Sequence, residues 1–519
     1  MEAIGMKVPE SESTRVLLGD HDGRLTKGAD PDLVKYVYVS QIESQKQSFK
    51  SVIRYNMAHV VMMHEEGVFS AEESGKLLAG LKDIDRLGVE NFVLNPEYQG
   101  VHPCIEADLV QRYGYEVGGK ILTGRSRGDV HHTGERLAVR DKLLDVLEDL
   151  LELREVFLEL AETHRDTVIP GYTWFQAAQP TTLAHDLLHL GEGFQSNFWR
   201  LKHSFEEVNL GICESGIGYG TDWPVNRERV AELLGFEGLV ENTRFASRDL
   251  GNAEIFLLAD LALLMGHIFR ITNDFYPMTS QEFGYFEFGD EWSQTSFMMP
   301  QKKNPASLKS FRFKAIKTVG DLTSGLYAYF GSSPNMLGEM VYVAGLALDA
   351  MGQSVIPALK HMKGMMPTLM VNKELARERA GAYFTQATNL ADVIAREKNL
   401  SFRTAHRIVG VLVRDAVKQN IKPAGITTEM VDRAAQEILG QTIRLDSKVL
   451  QDALDPVVIV KNRKGTGSTG SEMIHKAIEN RRQGIAEDRE WLRAKRALLE
   501  GAEKKLMRIV DSIAGSVSG

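Results

Sequence analysis

From Asp129 to Arg165 the chain runs without a single proline, and Leu137, Leu144, Leu147, Leu151 and Leu158 recur at spacings of seven, three, four and seven. Those intervals place the leucines along one stripe of an α-helix. A helix of that extent is a rod of about 50 Å at roughly 1.5 Å per residue. Such a rod needs apolar partners along its whole length, so the stretch is a bundle helix.

Further helix-like stretches cover Thr182 to Leu210, Arg248 to Asn273, Ala306 to Tyr329 and Gly338 to Met365, divided by segments rich in Pro, Gly and Ser. Alternating strand patterns are scarce. Ile255 to Ile271 is apolar almost all round, yet it is short for a bilayer span and carries Asp260 in its middle. A buried central helix fits it better. The expected fold is all-α in three helical domains: residues 1–117 with a loose polar arm up to about Asp30, a long central bundle over 118–369, and a C-terminal helical domain over 370–519.

The 70 acidic residues outnumber the 61 basic ones, giving a formal charge of −9. That balance argues against a general binder of nucleic acid or anionic membrane, which needs excess Lys and Arg. It leaves room for an anionic substrate, because a few local cations capture a dicarboxylate whatever the net charge. Cys104 and Cys213 form no CxxC pair, so neither a disulfide framework nor a zinc site is supported, and a reducing, cytoplasmic compartment fits best. The N-terminus lacks the basic and apolar regions of a secretory signal. The run Lys464 to Gly470 glances toward a phosphate loop but lacks the Lys-Ser/Thr ending and a preceding strand, so it reads as a turn capping a helix near Glu472.

Chemistry concentrates in Ser293 to Pro305, where a hydroxyl, two ammonium groups and a carboxamide lie close together between prolines that prevent a helix. On residue types alone Ser296 is a nucleophile, a base or a turn residue. Met299-Pro300-Gln301-Lys302-Lys303-Asn304-Pro305 resembles the second half of the signature loop of the aspartase and fumarase superfamily, written GSSxMPxKxNP; Thr295 and Phe297 depart from its first half. Four other segments are similar to argininosuccinate lyases, in order: Val101 to Glu106 (DVHxxIE), Thr123 to Asp129 (TGRSRND), Pro170 to Pro180 (PGYTHLQRAQP) and Ser280 to Glu287 (SPEFGFVE). The resemblance spans about nine-tenths of the chain.

That resemblance implies a base at Ser296, anion-binding positions at Lys302 and Asn304, and substrate contacts at Arg125, Ser126, Thr173 and Tyr329. A proton on carbon beside a carboxylate is very weakly acidic, so its removal needs both a base and stabilisation of the charge that builds up. Three departures bear on the amine. Gly128 replaces the family's substrate-contacting asparagine, Trp174 replaces the histidine assigned as general acid, and the run Ala328 to Glu339 lacks the family's glutamine and lysine. An indole cannot titrate. His102 stands first as substitute acid or carboxylate ligand, with His131 or His132 second; His164 and His185 match family histidines that read as structural.

The resemblance further implies a central five-helix bundle that merges with others in a homotetramer, active sites shared between subunits, and no metal or organic cofactor. The expected reaction is a C–N lyase β-elimination from an N-substituted aspartate, releasing fumarate and an amine. The alternative is a catalytically retired relative with a structural or dicarboxylate-binding role, which Trp174 favours and intact Ser296, Lys302 and Asn304 oppose.

Overall fold

The computed structural model describes residues 28–248, 251–333, 335 and 339–515. The loose arm expected up to Asp30 lies almost wholly outside the described residues. The fold is all-α. Helices α1 (Val39–Gln45), α2 (Phe49–Glu65), α3 (Ala71–Leu87) and α4 (Val101–Tyr113) build an N-terminal body around Val52, Met62, Leu77 and Leu109. The central bundle follows as α5 (Arg127–Thr163), α6 (Leu183–Val208), α7 (Asn252–Met278) and α8 (Ala306–Gly331), with a fifth rod made of α9 (Val343–Asp349), a π-helical turn (Ala350–Val355) and α10 (Ile356–Met365).

The proline-free stretch is one helix of 37 residues, started by Ser126, whose side chain accepts from the Gly128 and Asp129 N–H groups while Asp129 caps back. Its leucines from Leu143 to Leu158 share a core with Phe194, Phe198 and Phe205 of α6 and Leu257, Leu261 and Leu264 of α7, while Leu137 belongs to the N-terminal body. The apolar segment Ile255 to Ile271 is a bundle helix whose inward residues, including Leu258, Met265 and Ile268, are fully enclosed. An ion pair between Arg136 and Glu254, at 3.1 Å and almost without solvent, ties the first turns of α5 to the start of α7. That junction defines the near end of the bundle. At the far end a hairpin of β1 (Val168–Thr173) and β2 (Gln176–Thr182) connects α5 to α6, and Tyr172 and Tyr285 share a hydroxyl hydrogen bond of 2.7 Å.

The third region departs from expectation. Helices α11 (Ala387–Lys398), α12 (Phe402–Lys418), α13 (Thr428–Leu439) and α14 (Ser447–Leu454) enclose a separate small core. The last helix, α15 (Ser471–Gly515), does not join them. Ile474, Ile478, Ile485 and Leu492 pack into the bundle, and Leu506, Val510 and Ala514 enter the N-terminal body. An amphipathic 45-residue helix is a rod of about 67 Å, long enough to serve two cores at once. The turn before it holds no phosphate-loop geometry to speak of: Thr469 Oγ1 donates to Val460 O, and the Gly467 carbonyl meets His185 Nε2 at 3.0 Å.

Candidate active site

At the near end, where α5 begins, a cavity of about 500 Å³ opens between α1, α4, α5 and the segment before α9. His102, Ser126, Arg127, His131, His132 and Glu135 contribute its polar wall. Ser126 Oγ accepts two N–H bonds, at 3.1 and 3.4 Å, so its own proton remains available to a ligand. Ser126 thereby satisfies the Gly128 and Asp129 N–H groups, and the helix start presents its hydroxyl to the cavity.

Arg125 does not line the cavity. Its guanidinium lies one layer behind, donating to Asn56 Oδ1 and to the Ile121 carbonyl (2.7 Å), with its carbon 4.9 Å from the centre of the Tyr55 ring. This buried cation orders its neighbours. With Asn56 Oδ1 turned to Arg125, Asn56 Nδ2 faces His102 Nδ1 at 3.4 Å and can only donate. The neutral His102 then carries its proton on Nε2, a buried atom with no hydrogen-bond partner among the described residues, on a ring that borders the cavity. Burial, followed by Arg125, holds the His102 pKa well below the usual imidazole value. His102 is thus a buried neutral donor in the cavity wall rather than a charged acid.

At the far end the predicted catalytic loop is a hairpin, with β3 (Gln294–Thr295) pairing antiparallel to β4 (Lys303–Asn304). Its base is fixed: Ser307 Oγ donates to the Trp292 carbonyl at 2.7 Å, and His361 Nε2 meets Ser307 Oγ at 2.8 Å. Its tip is not enclosed. Phe297 is 104% exposed and Met298 88%. Ser296 Oγ accepts from the Met298 and Met299 N–H groups at 3.3 and 3.1 Å, holding the hydroxyl in the turn, while Lys302 projects into solvent. Lys303 is occupied with Glu287 and Asp290.

Thr173 sits at the tip of the β1–β2 hairpin beside Trp174, which is 96% exposed. Tyr329 lies in the last turn of α8, half-exposed. His164 bonds Thr167, and His185 bonds Thr181. The expected site residues therefore fall into groups at opposite ends of one chain. Helix α8 alone puts about 35 Å between the predicted loop before its start at Ala306 and Tyr329 in its last turn.

Residues 37–320 match the Lyase family, and residues 384–461 match the argininosuccinate lyase C-terminal family. The argininosuccinate lyase of Methanocaldococcus jannaschii is 34% identical over 460 residues, covering 88% of this chain and 92% of its own. That of Methanosarcina acetivorans is 34% identical over 495 residues, covering 94% and 98%. This chain belongs to the argininosuccinate lyase family. Among solved structures, an EDDS lyase variant with bound fumarate shares the fold of this family member at a TM-score of 0.83 and 29% identity, over 98% of this chain and 99% of that one. Class II fumarase from Schistosoma mansoni shares the fold alone, at a TM-score of 0.66 and 15% identity over 83% and 94%.

In this family member a Cβ at position 128 would lie 2.6 Å from Ile217 Cδ1, so Ile217 borders the space a larger side chain would take and its end would have to move aside. Sequence reading missed Glu135, although it stands one helical turn from His131 and three residues from His132 on the same face. That spacing was the available clue. Burial pushes the Glu135 carboxyl up to about 7 and the His132 imidazole down to about 4.

Proposed function

We propose that this chain splits an N-substituted aspartate by β-elimination at sites shared between subunits, with Ser296 as base and an amine other than the arginine of argininosuccinate as product. Its reaction class is C–N bond cleavage with release of fumarate. The observation that carries the reading is the near-end cavity, where the Ser126 hydroxyl offers an uncharged donor to a carboxylate and neutral His102 forms part of the wall with its Nε2–H buried. Arg127 adds positive charge on the same wall. Lys302 and Asn304 on the far-end loop supply the counter-charge and amide for the second carboxylate as charge builds on it during proton removal. Arg125 acts from behind, by orienting Asn56 and His102.

Sharing between subunits explains how donors at one end and a base at the other can serve a single substrate. Its physical support is exposed apolar surface along the bundle: Phe256 and Leu263 on α7, and Phe313, Ile316, Tyr327 and Phe330 on α8, are all more than half exposed. A bundle helix with such a face is built to be covered. The hairpin tip points the same way. Trp174 and Phe175 both hold positive φ (56° and 57°), a turn conformation that favours Asn and Gly and strains bulky residues, so contact with a partner gives them a purpose that turn formation does not. The assembly proposed is a homotetramer. The two cysteines are free and buried, in keeping with a reducing, cytoplasmic setting.

The amine assignment rests on the missing family groups at positions 128, 174 and along the segment after α8. A site made for a guanidinium would leave polar partners unpaired on losing them, at about 1–3 kcal/mol each. The test offers purified protein argininosuccinate, ethylenediaminedisuccinate and other N-substituted aspartates, and follows fumarate by its ultraviolet absorbance. Ser296→Ala is expected to lower kcat by at least about 10³-fold with the oligomer unchanged by light scattering. Substantial remaining turnover removes Ser296 from the base role. Fumarate binding without turnover of any substrate replaces the enzymatic reading with a binding one.

A further inference from the structure

The elimination needs a proton for the departing nitrogen, and neither Trp174 nor neutral His102 supplies one. We propose that Glu135, paired with His131, is the acid that protonates the leaving amine in this chain. The inference rests on the lyase reading above and names one more catalytic group for it.

The geometry singles out this pair. Glu135 Oε1 lies 3.2 Å from His131 Nε2, and Oε2 lies 3.7 Å from His132 Nδ1, so both carboxyl oxygens face imidazole nitrogens. All three residues line the same cavity as Ser126 and His102, and Glu135 is 5% exposed. A carboxyl beside an imidazole in such a place shares one proton between them and can release it without recruiting water. Burial keeps the carboxyl protonated to about pH 7, where a general acid is most effective. The charged groups around the pair are Arg127, Asp129 and Arg136 on its own helix, Glu254 from α7, and His102 from α4. Arg136 is occupied by Glu254, and Asp129 by the N–H groups of Ser215 and Ile217, which leaves Glu135 as the carboxyl with a proton to give.

The step balances as follows. Ser296 Oγ, entering as the alkoxide, takes a proton from the carbon beside one carboxylate; that C–H pair becomes the second bond of the alkene. The C–N pair leaves on nitrogen, and nitrogen takes the Glu135 proton. Fumarate and the free amine depart, leaving Ser296 protonated and Glu135 ionised, and proton exchange with solvent resets both.

A weakly basic leaving group needs this help least, and that decides the test. Glu135→Gln is expected to lower kcat on argininosuccinate or ethylenediaminedisuccinate, whichever the parent protein turns over, by about 100-fold while KM stays nearly constant. On N-phenylaspartate, which releases aniline, the loss should be under about 10-fold. The fall of kcat above neutral pH should vanish in Glu135→Gln, and His131→Gln should shift that limb. Equal losses on both leaving groups, or an unchanged alkaline limb, overturn the assignment. If the parent does not accept N-phenylaspartate, the alkaline limb alone decides. Should Ser296→Ala abolish turnover while Glu135→Gln matches the parent, the acid assignment falls and the lyase reading stands; silence of the parent on every substrate sinks the lyase reading itself.

Discussion

At the near end of the bundle, Arg125, Asn56 and His102 hold one another beneath a closed floor, whereas at the far end Ser296 rides on a hairpin whose Phe297 and Met298 stand in open solvent. The first arrangement is ready before a ligand arrives, because each polar group already has its orientation fixed. The second has a fixed base and a free tip, the form expected of a segment that completes its surroundings on meeting another surface. Under the proposed function, binding geometry is built into one end and reactivity is delivered from the other.

If that contrast holds, damage at the near end should reach the whole fold. Arg125→Met removes the guanidinium that satisfies Asn56 Oδ1 and the Ile121 carbonyl, and should cost about 3 kcal/mol in chemical denaturation, together with the orientation of His102. A loss below about 1 kcal/mol would mean the floor is not preorganised.

The pH dependence of stability sharpens the same point. The Glu135 carboxyl titrates near 7 in the folded chain against an ordinary value of 4.5, so the folded state binds the proton more tightly. This carboxyl therefore costs stability increasingly as pH rises from 4.5 to 7, and fully above that. Buried His102, His131 and His132, all lowered, act oppositely: their cost appears as pH falls below 6.5 and the unfolded chain takes up protons. Glu135→Gln removes the first effect, and with it the carboxylate that partly offsets the lowering of the His131 pKa by burial. Its melting temperature should rise relative to the parent between pH 5 and pH 8, equivalent to about 2 kcal/mol, and a difference constant with pH would contradict the burial of that carboxyl.

The smallest change belongs to the far end. Lys303 meets Glu287 and Asp290 at 2.6 and 2.7 Å, but both acids are exposed, so Lys303→Met should leave the melting temperature within measurement error. A clear drop would show the hairpin to be as rigid as the cavity floor.

The long helices were legible because their evidence is local: the leucine stripe of α5 and the apolar length of α7 are visible within one turn of each residue. The expected start at Asp129 came within two residues of the observed Arg127, the difference being Ser126 as cap. What stayed hidden depends on contacts across the chain. Nothing near Gly128 reveals that Ile217 borders its side-chain space, and nothing near Arg125 reveals Asn56 and Tyr55. The placement of α15 was hidden for the same reason, since an amphipathic helix declares that it packs without declaring where. Glu135 was readable, from its spacing to two histidines, and was passed over beside the more familiar motifs.

The reach of α15 carries a consequence for biosynthesis. The N-terminal body is translated before the bundle and before α15, yet Leu506, Val510 and Ala514 of α15 belong to its interior, and Lys82 closes on Asp511 at 2.6 Å. That body must wait for α15 before its apolar surface is sealed. Nascent chains stalled before residue 500 should accordingly engage chaperones at their N-terminal end, however complete the bundle between has become.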